Sequence, residues 1–192
     1  IKASELKPEV PYVFTYPYVS TPCFLIRLPE TVQKEITLKD INDQAYVWKG
    51  GVGKDSSIVG FSAICSHSLT HPNKSDSFIT YVPNRGKTMA YDKGGVIVCS
   101  SHLSAFDPKN GAKNIAGPAD EPLASIVLEH DEATDFIYAA GVIGPERFHD
   151  FFKTFKPQLK KEFKKYKDAK KFVKFSIATL PLSEYTQDVI LY

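Results

Sequence analysis

Cysteine is scarce in this chain: three in 192 residues, at Cys23, Cys65 and Cys99, with no short spacing between them. An odd number so widely spread argues against a disulfide framework. No stretch approaches the roughly 20 consecutive apolar residues of a membrane-spanning helix. Internal repeats and low-complexity tracts are absent, which argues against a solenoid or a disordered linker. Neither sign of charge dominates: the formal net charge is +2, so the molecule as a whole does not advertise nucleic acid as a partner. Methionine occurs once, at Met89, and the first residue is Ile1. The reading therefore expects something removed from the N-terminus, an export signal or a membrane anchor.

What remains is an ordinary globular composition, long enough for one well-filled domain or a domain with an appendage. Pro11 to Arg27 is rich in Tyr, Val, Phe, Thr and Ile, with Pro17 and Pro22 suited to edges or bends. Further strand candidates are Glu35 to Leu38, Ala45 to Trp48, Ile58 to Ile64, Phe78 to Val82 and Gly95 to Val98. Leu123 to Glu129 and Phe136 to Val142 read as a hairpin with a turn between them. Many short strands with regular turns indicate an antiparallel β-rich domain. The character changes at Gly144-Pro145. Residues 153–174 carry ten lysines against Glu162 and Asp168. Phe148, Phe151, Phe152 and Phe155, continued by Leu159, Phe163 and Tyr166, follow helical spacing, and Pro157 should kink or split that helix. Residues 176–192 read as strand-like or extended. The expected division is thus 1–144 for the β domain and 145–192 for a Lys/Phe-rich helical extension.

The chemistry-bearing residues are Cys65-Ser66-His67 and Cys99-Ser100-Ser101-His102. Each segment offers one thiolate and one imidazole. Four such ligands suit either a tetrahedral zinc ion or a two-iron cluster with mixed ligation. Structural zinc sites usually pair close cysteines with each other and close histidines with each other. Mixing Cys and His on both segments suits a cluster better, with each segment clamping from one side. Cys23, flanked by Pro22, Phe24 and Leu25, reads as a buried inert thiol. His71, His130 and His149 read as surface or packing residues.

These two segments resemble the cluster loops of the Rieske [2Fe–2S] proteins. The stretch from Cys99 through Phe106-Asp107-Pro108 to Gly111, and Gly117-Pro118-Ala119 after it, extends the likeness. The resemblance implies a Rieske-type antiparallel β-sandwich with an inserted cluster-binding subdomain, about residues 62–122. It implies a [2Fe–2S] cluster held by Cys65 and Cys99 on the buried iron and by His67 and His102 on the outer one. Leu69, Leu103 and Pro118 would surround the cluster, and Ser104 would bond a bridging sulfide. The family's loop disulfide falls at Thr70 and Ser101, which cannot form it. The family's tyrosine that donates to a ligand sulfur falls at Phe106, which has no hydroxyl. The 31 residues between His67 and Cys99 exceed the family's short spacing, suggesting an insertion at a Phe78–Val82 hairpin.

The implied function is one-electron transfer as a subunit of a membrane-associated respiratory redox complex. Its partners would be a quinol-oxidising subunit or a cytochrome. The membrane contact would come from a lost anchor or from the basic helix. The expected location is the extracytoplasmic face of the cytoplasmic membrane. A soluble Rieske-type ferredoxin in the cytoplasm is the alternative, and a structural zinc module a third. Hydrogen bonds to cluster sulfurs favour the more negative reduced state and raise the potential. Phe106→Tyr is therefore expected to raise the reduction potential; an unchanged or lower midpoint in a redox titration would count against this register.

Overall fold

The computed structural model describes residues 1–192. Its fourteen strands are β1 (Pro11–Thr15), β2 (Pro22–Arg27), β3 (Ile36–Lys39), β4 (Ala45–Trp48), β5 (Ile58–Ser62), β6 (Asp76–Ser77), β7 (Ile79–Val82), β8 (Val96–Cys99), β9 (Ser104–Asp107), β10 (Lys113–Ala116), β11 (Ser125–Asp131), β12 (Phe136–Ile143), β13 (Leu180–Pro181) and β14 (Asp188–Val189). The helices are α1 (Phe148–Thr154), α2 (Lys156–Glu162), α3 (Tyr166–Ala169) and α4 (Leu182–Tyr185).

A six-stranded base sheet runs in the order β12-β11-β5-β2-β1-β13, antiparallel throughout. A smaller antiparallel sheet runs β10-β9-β8-β7. The chain leaves the base sheet after Ser62 and returns at Ala124, where the Ser62 amide donates to the Ala124 carbonyl at 2.8 Å. Residues 63–123, between those two points, form a smaller unit set into the base. The main core lies between the sheets. Val13, Phe24, Val59 and Phe61 of the base meet Ile79, Tyr81, Ile97 and Phe106 of the smaller sheet, with Leu38 and Trp48 of the β3–β4 hairpin closing one side. β5, β7 and β8 are buried along their whole length, which explains their continuous apolar runs.

The all-β expectation holds, with two local differences. Ile79–Val82 is not a hairpin of its own: all four residues are buried and pair with Val96–Cys99 as one strand of the smaller sheet. The connection between these partners is residues 83–95. A single helical turn, α4, interrupts the stretch read as extended, because one turn is too short to show periodicity. The C-terminal stretch also supplies sheet edges: β13 pairs with β1 and β14 runs parallel to β6.

The lysine-rich region is split into α1 and α2 at Phe155, with Pro157 in the first turn of α2, where its missing N–H costs no helical bond. The expected aromatic stripe forms. Phe148, Phe151, Phe152 and Leu159 are buried against Ile64, with Phe155, Phe163, Tyr166 and Leu69 packed around them. The phenylalanine face of these helices is thereby occupied by the β domain. Phe151 is 1% exposed. Phe151→Ala is expected to lower unfolding stability by about 3–5 kcal/mol, the range for emptying a buried aromatic site, measured by urea denaturation.

Candidate metal centre

The first ligand loop follows β5 and closes on itself. The Cys65 amide donates to the Thr70 carbonyl at 2.8 Å and the Leu69 amide to the Cys65 carbonyl at 3.0 Å. The second loop is the turn of the β8–β9 hairpin, with Cys99 paired opposite Ser104 and the Ser100 amide on the Phe78 carbonyl at 2.7 Å. Each loop carries a leucine in the left-handed region, Leu69 at φ 60° and Leu103 at φ 59°. Each costs of order 1–3 kcal/mol, so the surrounding packing must enforce them.

The geometry brings all four expected ligands to one end of the molecule. Cys65 and Cys99 are buried, at 0% and 1% exposure. His67 and His102 are exposed, their rings edge-to-face with centroids 4.9 Å apart. The set divides into a buried thiol pair and an exposed imidazole pair, the division that a two-iron cluster with mixed ligation takes.

The donors around Cys65 favour its thiolate. The Cys99 thiol donates to Cys65 and pulls it below the usual thiol range; the same contact, with burial, pushes Cys99 up. The backbone N–H groups of Ser68 and His67 also face Cys65, and that of Ser101 faces Cys99. Ser104 and Ser100 are buried with hydroxyls that have no partner in the protein. A hydroxyl left so costs about 1–3 kcal/mol. An anionic sulfur acceptor in the space between the loops would satisfy Ser104, so the residues present fit a [2Fe–2S] cluster.

The loops hold each other. Thr70 Oγ1 donates to Ser101 Oγ at 2.9 Å, joining them at the two positions where the resemblance placed a disulfide. Gly117 has φ +82°, and a Cβ there would lie 2.2 Å from the Leu103 carbonyl oxygen and 2.6 Å from Ser104 Cα. Only glycine permits that approach. Pro118 beside it is exposed and Ala119 is buried. Ser66 Oγ donates to the Glu121 carbonyl at 2.9 Å. Phe106 is fully buried on β9. Leu103 is half-buried at the turn, and half-buried Leu69 packs towards Ile64 and the phenylalanines of the C-terminal helices.

Two contributors carry no motif. Arg147, just before α1, donates to the Ser66 carbonyl and pairs with Asp150 at 3.1 Å. Ser68 places its hydroxyl 3.8 Å from Cys99 Sγ. Its place directly after His67 was the one available signal; nothing in the sequence pointed to Arg147. Of the remaining histidines, His71 sets Nδ1 3.0 Å from the Leu69 carbonyl and its ring edge-on to Phe151 and Phe155. Burial lowers its pKa. His130 bonds Asp135 at 2.9 Å and His149 is exposed. Cys23 is fully buried, its thiol donating to the Tyr16 carbonyl at 3.1 Å, and burial raises its pKa.

An all-β fold that sets paired thiols beneath paired imidazoles defines an iron–sulfur electron-transfer protein. The chain belongs to the Rieske [2Fe–2S] domain family, whose model matches residues 25–127. It is 32% identical over 143 residues to iodate reductase subunit IdrB of Denitromonas iodatirespirans, across 74% of this chain and 60% of that protein. The chain therefore spans well under two thirds of that relative's length. Among solved structures it resembles the soluble domain of the Rieske protein II (soxF) from Sulfolobus acidocaldarius, at 30% identity and TM-score 0.50 over 69% of this chain and 68% of that one. A ferredoxin of carbazole 1,9a-dioxygenase from Nocardioides aromaticivorans matches at 15% identity and TM-score 0.40 over 77% of this chain and 94% of that one, too slight a likeness to bear on function. The cofactor is a Rieske-type [2Fe–2S] cluster, which supplies a one-electron couple, and the chain's activity is electron transfer.

Proposed function

We propose that this chain is the electron-transfer subunit of a membrane-associated oxidoreductase complex. It takes one electron at a time from a quinol-oxidising or catalytic partner and passes it to a cytochrome or similar acceptor. In this reading Cys65 and Cys99 hold the inner iron, and His67 and His102 hold the outer. The observation that carries it is the polarity of the site: both thiols are buried, while both imidazoles stand exposed side by side. The protein shell is thus thinnest at the histidines, where a partner has the shortest path. The likeness to a subunit of iodate reductase supports placing the catalytic chemistry on a different chain.

The replacement of the loop disulfide by Thr70 and Ser101 favours a second reading, a Rieske-type ferredoxin serving an enzyme directly. A redox titration followed by EPR at several pH values separates the two. Expected is a Rieske-type signal in the reduced state, with a midpoint inside the roughly −150 to +300 mV span of such centres and falling at alkaline pH. A midpoint near the top supports the quinol-linked complex, and one near the floor the ferredoxin. Zinc in place of iron, with no signal after anaerobic purification, would overturn both.

The membrane half of this reading rests on a strap after α3 rather than on the helices. Phe172 and Phe175 are 61% and 87% exposed beside Lys170, Lys171 and Lys174. Exposed aromatics flanked by cations suit the interface of an anionic bilayer. Co-sedimentation with vesicles containing anionic lipid, weakened by Phe175→Ser and by added salt, is the expected outcome. Equal binding to neutral vesicles, or none, would remove the strap from this role.

A further inference from the structure

The base sheet has two apolar faces. Val13, Phe24 and Ile26 point to the smaller sheet, and their neighbours Phe14 and Leu25 point the other way, into a second core. That second core is incompletely filled. A cavity of about 450 Å³ lies between a floor that includes Phe14, Leu25, Leu128 and Ala139 and a roof made by the strap after α3. The space falls within the roughly 300–1,000 Å³ of small-ligand sites and, like them, is walled mostly by apolar side chains. The strap is tethered at both ends: the Val173 amide donates to the Pro17 carbonyl at 2.9 Å, and Leu180 pairs with Val13. Residues 174–178 make no main-chain hydrogen bond between those tethers. Ile177 packs down onto the second core. A roof held in this way can rise and close without breaking the sheet.

One cation at this roof is uncommitted. Lys171 is paired with Asp168 at 2.8 Å, and Lys170 lies over the Phe152 and Tyr166 rings, 4.9 Å from each centroid. Lys174 has neither kind of partner. It stands exposed and borders both the cavity and a depression on the strap's outer side. No aspartate or glutamate lines either space. We propose that the cavity binds the hydrocarbon chain of a long-chain fatty acid, whose carboxylate meets Lys174 at the strap. The apolar walls favour the chain because its methylenes leave water on entering. The unpaired ammonium, with no acid near it, favours an anionic head. One roofed space beside one uncommitted cation matches one chain and one charge.

The inference does not use the electron-transfer reading, but it shares the strap with the membrane reading, and the test separates those two. Myristate and octanoate are titrated into the whole chain by calorimetry, below the concentrations at which they form micelles. One myristate per chain is expected, with octanoate weaker by more than about tenfold because fewer methylenes are buried. Lys174→Gln is expected to weaken myristate about two- to fivefold, as loss of an exposed ion pair does, and to remove most of the salt dependence. Ala139→Trp, which fills the cavity from its floor, is expected to abolish binding, with far-ultraviolet circular dichroism reporting the fold. Ser176→Trp fills it from the strap and carries the same expectation should the floor variant not fold. No myristate binding would overturn the inference, as would binding that both tryptophan variants leave unchanged. An unchanged affinity in Lys174→Gln would overturn the placing of the carboxylate. Myristate uptake by a chain that ignores anionic vesicles would support the cavity and remove the membrane role of the strap. Vesicle binding without myristate uptake would do the reverse.

Discussion

The hydrogen bond from the Ser62 amide to the Ala124 carbonyl, at 2.8 Å, closes the neck between the base and the unit inserted in it. On one side of it β5 and β11 are neighbours in the base sheet, joined through Ser125 opposite Phe61. On the other side the chain begins the first ligand loop within three residues. Adjacent strands force the start and end of the inserted half together. The smaller sheet must then fold back over the base, and its β8–β9 turn arrives facing Cys65. The thiol pair is a consequence of that closure. Phe61 and Phe106, both fully buried, fill the space between the sheets beneath it.

At the ligand end, weak interactions do the work that a covalent bridge would otherwise do. One hydroxyl contact joins the loops at Thr70 and Ser101, Ser66 is tied to the Glu121 carbonyl, and Gly117 lies against the second loop with no room for a side chain. Each such bond is worth about 0.5–1.5 kcal/mol net. Two leucines held at positive φ work against them. The balance is met from elsewhere. The C-terminal helices bury their phenylalanines on Ile64 and Leu69, on either side of the first ligands, and burial of each such ring contributes about 1.5–3 kcal/mol.

Much of this was legible because it is local. The ligand spacing, the strands that feed Cys65 and Cys99, the β11–β12 hairpin and the helical phenylalanine stripe all lie within short windows. There, side-chain type and period decide the outcome. The unmatched features are long-range. β13 joining β1, and β14 joining β6, pair residues more than 100 positions apart with only two residues in each short strand, too few to print a pattern. Arg147 reaches Ser66 across 81 residues. Ser68 was adjacent to the motif, yet a serine beside a ligand looks like any loop serine until its distance to the second loop is known.

The Arg147 contact has a temporal side. Synthesis proceeds from the N-terminus, so both ligand loops emerge long before the segment that braces the first of them. Ile64 and Leu69 meet the phenylalanines of the C-terminal helices only after that segment has been made. Until then the Cys65 loop lacks that wall of its packing. The site reaches its final shape late, after the C-terminal helices have been made. Iron and sulfide delivered during elongation would meet a half-walled loop; delivered afterwards, they meet a finished one.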